Sequence, residues 1–185
     1  MYLSKLMIKP RNLIETFSCF LVLQSTFQSA QWRRDRGLLE SMMQKLQANA
    51  ELDSADPDTK EVWAMYWLQN WRQLPQNSDT SDDQPQAFWH LFAYLQEPAL
   101  SIAKRTHRRS GSSFKDYEPG DLLSLTLLKV PDILRHFQRE KGNPLAAYAT
   151  ASFHKALLNE GRRICSSAGD FRLGFAGAHK CQTFA

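Results

Sequence analysis

The sequence predicts an all-α protein, and three observations carry that prediction. Apolar residues recur three and four apart along most of the chain, the spacing that lays one stripe on a helix. Few stretches alternate with the period of two that a half-buried strand needs. The breaks between periodic runs hold the turn-forming residues, at Pro57, Gly111, Pro119-Gly120 and Gly142.

A first helix is expected over Asn12–Gln24, with Leu13, Phe17, Phe20 and Leu21 on one stripe. Lys5, Lys9 and Arg11 precede the apolar run Phe17–Leu23, an order also found in signal peptides. Pro10, Glu15 and Thr16 interrupt that pattern, and the run is far too short to cross a bilayer. A buried amphipathic helix is therefore expected here, in preference to a secreted helical protein. A second helix is expected over Arg36–Ala48, carrying Leu38, Leu39, Met42, Met43 and Leu46. Pro57 and the acids Glu51, Asp53, Asp56 and Asp58 separate it from a third, Lys60–Trp71, whose aromatic residues at helical spacing read as core rather than as a nucleic-acid platform.

Residues 75–85 carry no apolar side chain, so they are expected to form an acidic polar linker. They divide an N-terminal helical segment, 1–74, from a second unit, 86–163. The second unit opens with a helix over Gln86–Arg108 that bends near Pro98. Asp121 starts the next, which Pro131 kinks or splits before Phe137. A polar turn, Arg139–Pro144, leads to a last helix from about Leu145 to Gly161. The tail, 164–185, is interrupted by Gly169, Gly174 and Gly177 and is expected to be irregular.

The chain is long enough for one ordinary domain or two small ones. Lys and Arg exceed Asp and Glu by 23 to 19, a mild excess that permits an acidic partner such as DNA without requiring one. Cys19, Cys165 and Cys181 form no C-x-x-C pair, which argues against a disulfide framework and suits a reducing cytoplasm. Cys165, His179 and Cys181 match no compact metal site, and His90, His136 and His154 read as surface or half-buried histidines on separate helices. P-loop, dinucleotide, nucleophile-elbow and H-E-x-x-H motifs are all missing, so neither an enzyme nor a cofactor is expected.

One run is more specific. The chain reads Asp121-Leu122-Leu123, Phe137, Gly142, Leu145, Tyr148-Ala149, Phe153 and Ala156-Leu157. This pattern resembles, without a gap, region 2 of the sigma-70 family of bacterial transcription initiation factors. In that family D-L-I or D-L-L opens a helix, F closes it, G sits in the turn and F-S-T-Y-A opens the next helix. Leu91–Arg109 stands where the family has its preceding helix. Arg11–Phe17 and Trp63–Trp71 are similar to the divergent, group 3-like factors of cyanobacteria. The resemblance implies a sigma region 2-like helical bundle preceded by a short helical segment. It also implies a cytoplasmic, membrane-free protein that binds core RNA polymerase and promoter DNA, with an anti-sigma protein as a further partner.

Carried over residue by residue, the resemblance places Asp121, Ser124, Leu125, Leu128, Lys129 and Asp132 at the polymerase beta-prime clamp coiled coil. Lys104, Arg105, Arg108 and Arg109, with Tyr148, His154, Lys155 and Asn159, become the DNA-facing set. The basic cluster has two readings, phosphate contact or a solvated helix end whose cations complement the helix dipole. Tyr148 likewise reads as a packed tyrosine or a stacking platform. Two departures stand out. Asn143, Leu145, Ala151 and Ser152 occupy positions that are usually aromatic, which removes most of the residues used to stack flipped bases. No two-helix pattern for the upstream-reading region 4 follows Arg163, as expected of a truncated or frameshifted member. The leading expectation is a sigma-like initiation factor. The alternative is a truncated interaction module or remnant that binds polymerase or another protein without opening promoters.

Overall fold

The computed structural model describes residues 10, 12–23, 30–49, 59–73, 85–109, 114, 117–139 and 142–170, with side chains as far as residue 164. It is predominantly helical, with one two-stranded sheet. Most of the expected linker, the loop around Gly111, His179, Cys181 and the tail beyond Asp170 lie outside the described residues, as does the side chain of Cys165.

Helix α1 (Leu13–Ser18) starts where the Asn12 side chain accepts the Glu15 N–H at 2.8 Å. The expected helix to Gln24 does not form. Thr16 and Ser18 donate their hydroxyls back to the carbonyls of Asn12 and Ile14, a local competition that weakens a helix end. The next residues, Cys19-Phe-Leu-Val22, suit a pleated surface and form strand β1. β1 pairs antiparallel with β2 (Gln31–Arg34), from Cys19 opposite Arg34 to Val22 opposite Gln31. An ion pair between Glu15 and Arg34 and a hydrogen bond from the Leu21 N–H to the buried Gln96 side chain hold the hairpin in place.

Helix α2 (Arg36–Ala48) is capped by Asp35, whose carboxylate accepts the Leu38 N–H at 2.9 Å. Helix α3 (Thr59–Gln73) buries Trp63, Ala64, Trp67, Leu68 and Trp71 along one stripe, so its aromatics are core. Helix α4 (Gln86–Arg109) runs through Pro98 as a single element and is the centre of the fold. It packs against α1, α3, helix α5 (Pro119–Leu127) and helix α7 (Leu145–Asp170). Pro131 splits the next expected helix into α5 and α6 (Val130–His136). α5 starts at Pro119 rather than Asp121, because proline suits the first helical position.

Gly142 has φ +74° and so takes the left-handed conformation expected of the α6–α7 turn. The ring of Tyr148 meets that of Phe137 edge-on at 5.5 Å, in line with the packed reading of this tyrosine. α7 continues past Gly161 to Asp170, so the first residues of the expected irregular tail are helical. Gly161 lies against Phe114, two ring atoms of which would stand 3.4 Å from a Cβ there.

One continuous apolar core runs from Phe17 through α3 and α4 to Leu157. At its N-terminal end lies His90, which corrects the expectation of a surface or half-buried histidine: it is 0% exposed. Its Nδ1 lies 2.8 Å from the Phe17 carbonyl and its Nε2 3.1 Å from the Ser41 hydroxyl. The ring stacks on Trp67 with centroids 3.9 Å apart. Nδ1 must donate to the carbonyl, which leaves Nε2 to accept from Ser41. One neutral imidazole thus joins α1, α2, α3 and α4.

Two charged side chains of α3 fasten the α6–α7 corner. Glu61 accepts the Leu145 N–H at 2.6 Å with one oxygen and the Tyr94 hydroxyl at 3.1 Å with the other. It therefore caps α7 from outside that helix, supplying an acceptor to one of its orphan N–H groups. Arg72 donates to the carbonyls of Leu134 and Phe137, at 2.7 and 2.6 Å, at the C-terminal end of α6.

Candidate polymerase and nucleic-acid interface

The six clamp-facing candidates follow the spacing i, i+3, i+4, i+7, i+8 and i+11, which keeps residues on one helical face. Although α5 ends at Leu127, Leu128 and Lys129 still donate their N–H groups to the carbonyls of Ser124 and Thr126, at 3.0 Å each. The inward side of this segment is closed by Leu122, Leu123, Thr126, Val130, Ile133 and Leu134, all buried.

The outward side carries Asp121, Ser124, Leu128, Lys129 and Asp132, all exposed, with Leu125 half-buried. Leu128 is 72% exposed, the most exposed large apolar side chain among the described residues. Asp121 is also engaged locally, since its carboxylate accepts the Glu118 N–H at 2.9 Å in a capping box. The Ser124 hydroxyl donates to the Gly120 carbonyl at 2.8 Å, and Asp132 pairs with Arg135 at 3.3 Å. Leu128 and Lys129 have the most freedom to meet another surface.

Two ties show how α4 and α7 lie. Glu61 touches both Tyr94, about a third of the way along α4, and Leu145, the first residue of α7. Beyond the end of α4, Phe114 lies against Gly161, and the Tyr117 hydroxyl donates to Glu160 at 3.4 Å. Tyr94 to Arg109 and Leu145 to Glu160 are equal lengths of helix, roughly 22 Å at about 1.5 Å per residue. The two helices therefore run parallel and reach the same end of the molecule. Lys104, Arg105, Arg108 and Arg109 come level with Lys155 and Asn159.

Arg105, Arg108, Arg109, His154, Lys155 and Asn159 are exposed, and Lys104 is half-buried. Tyr148 stands apart from this group. It lies about 16 Å back along α7 from Asn159 and is half-buried against Phe137. Leu145 is fully buried.

Arg162 and Arg163, both exposed on α7 at the same end, fall within the expected DNA-facing stretch but were not singled out, because the helix was expected to stop before them. Arg163 pairs with Glu160 at 2.6 Å, and the hydrogen bond from that guanidinium holds the Glu160 carboxyl below its usual range. Glu61 and Arg72 were also missed. They position the α6–α7 corner through contacts distant in sequence, for which no local pattern exists.

Among the described residues no group of three His, Cys, Asp or Glu side chains gathers as a metal site, and no helix is long and apolar enough to cross a membrane. Comparison with protein-family models, with curated proteins and with solved structures yields no match to this chain.

Proposed function

We propose that the chain is a sigma-like factor that docks on core RNA polymerase through the outer face of α5–α6 and meets promoter DNA with the basic end of α4 and α7. The observation that carries this reading is the ungapped run Asp121–Leu157, whose landmarks stand where their physical roles require. Phe137 is buried at the close of α6, Gly142 takes φ +74° in the turn, and Leu145, Ala149, Phe153 and Leu157 form the inward stripe of α7. The same arrangement leaves Leu128 and Lys129 outward on the face assigned to the clamp. An anti-sigma protein would act by covering that face.

A second reading has its own observation. Tyr148 is held against Phe137, Leu145 is buried, and Ala151 and Ser152 offer no ring. A module of this kind binds polymerase, or another protein, without opening promoters. Co-elution of the full chain with core polymerase, followed by permanganate probing of unpaired thymines on promoter DNA, separates the two. Co-elution with reactive thymines supports the initiation factor, and co-elution without them supports the silent module. If a folded chain elutes apart from polymerase, the initiation factor falls and only a module for another protein is left.

A further inference from the structure

We infer that the end of the molecule where α4 and α7 finish side by side takes duplex DNA by its phosphate backbone, in any sequence, rather than unstacked bases of a single strand. This rests on the nucleic-acid part of the proposed function and specifies what form of DNA that site accepts.

The first observation is charge. The α4 end carries Lys104, Arg105, Arg108 and Arg109, and the α7 end carries Lys155, Arg162 and Arg163. The carboxylates at the same end are Glu160 on α7 and Glu118 and Asp121 at the start of α5. Among the described residues, seven cations thus face three carboxylates at this end. None of Lys104, Arg105, Arg108, Arg109 and Lys155 forms an ion pair with another described residue.

The second observation is what this end lacks among the described residues. Recognition of single strands combines such cations with exposed rings on which successive bases stack. Here the rings are turned inward. Phe114 is buried and Tyr117 is half-buried and bonded to Glu160, while Tyr148, farther back on α7, is packed on Phe137. The exposed ring of α4, Trp89, sits about five turns from the basic end. Cations without stacking surfaces favour the higher charge density of a duplex, and phosphate contacts carry no sequence information.

Fluorescence anisotropy tests this with the full chain and no polymerase. The probes are two unrelated labelled 20-base-pair duplexes and the corresponding single strands, from roughly 50 to 200 mM salt. The expected result is equal affinity for the two duplexes within about twofold and weaker binding of both single strands. Affinity should fall with a log–log salt slope of about −4, near 0.9 per neutralised phosphate. The double variant Arg105→Gln, Arg109→Gln should lower that slope by about two, and Tyr148→Ala should leave duplex binding unchanged. Tighter binding of single strands that is lost in Tyr148→Ala overturns the inference, as does failure of the folded chain to bind either form. Duplex binding by a chain that ignores polymerase would leave this inference standing and remove the initiation reading.

Discussion

Acid should loosen this fold through His90. Burial is the main force on this imidazole and pushes its pKa from 6.5 down to about 4, partly opposed by the hydrogen bond to the Phe17 carbonyl and the charge of Asp35. In the unfolded chain the same ring titrates near 6.5. As pH falls below that value the unfolded state takes up a proton that the folded state refuses. Stability is thus fully present above the unfolded pKa and is lost as pH falls toward the folded one. The shift corresponds to about 3 kcal/mol in full, of which about 2 kcal/mol is lost between pH 7 and pH 5. Urea unfolding followed by tryptophan fluorescence measures this directly. The comparison chain is His90→Gln, which cannot take up the charge. It should be less stable at pH 7, because the contacts to Phe17 and Ser41 are imperfectly replaced, yet nearly flat between pH 7 and pH 5. His107, His136 and His154 are exposed and present in both chains. Parallel pH profiles for the two proteins would refute the reasoning.

Other changes probe the corner that sets α7. Glu61→Ala strips the acceptor from both the Leu145 N–H and the Tyr94 hydroxyl and should cost about 2 kcal/mol in urea unfolding. Hydrogen exchange should quicken selectively at the first turn of α7. Gly142→Ala places a side chain at φ +74° with nothing within 4 Å, so the penalty is conformational alone, about 1 kcal/mol by thermal melting. Arg72→Ala should cost about 1 kcal/mol and loosen the last turn of α6, read as faster exchange of its amides.

Much of the helical layout was legible because it is written in local periodicity. α2, α3 and α4 fall where their stripes place them, and Pro131 splits α5 from α6 as its missing N–H dictates. The hairpin was not legible. Phe17, Phe20 and Leu21 also fit a helical stripe, while β2 reads Gln-Trp-Arg-Arg and shows no apolar alternation. Only pairing between the two segments makes either a strand, and pairing is invisible to a local window. The burial of His90 did leave a signal, since it shares the stripe of Ala87, Leu91, Tyr94 and Leu95. Its chemical type suggested surface and its position indicated core.

The candidate site divides in the same way. The exposed face of α5–α6 follows from helical spacing. The alignment of the α4 and α7 ends required the Glu61, Phe114 and Tyr117 contacts, which join residues far apart in the chain.

The most direct test of the central claim is a titration of core RNA polymerase with the labelled full chain, wild type against Leu128→Asp. Leu128 supports no part of the core, so the variant should fold normally. The account predicts saturable binding by the wild type and a loss of about 30-fold in the variant, the effect of roughly 2 kcal/mol at an interface hot spot. Equal affinity of the two chains, or no binding by the folded wild type, would contradict it.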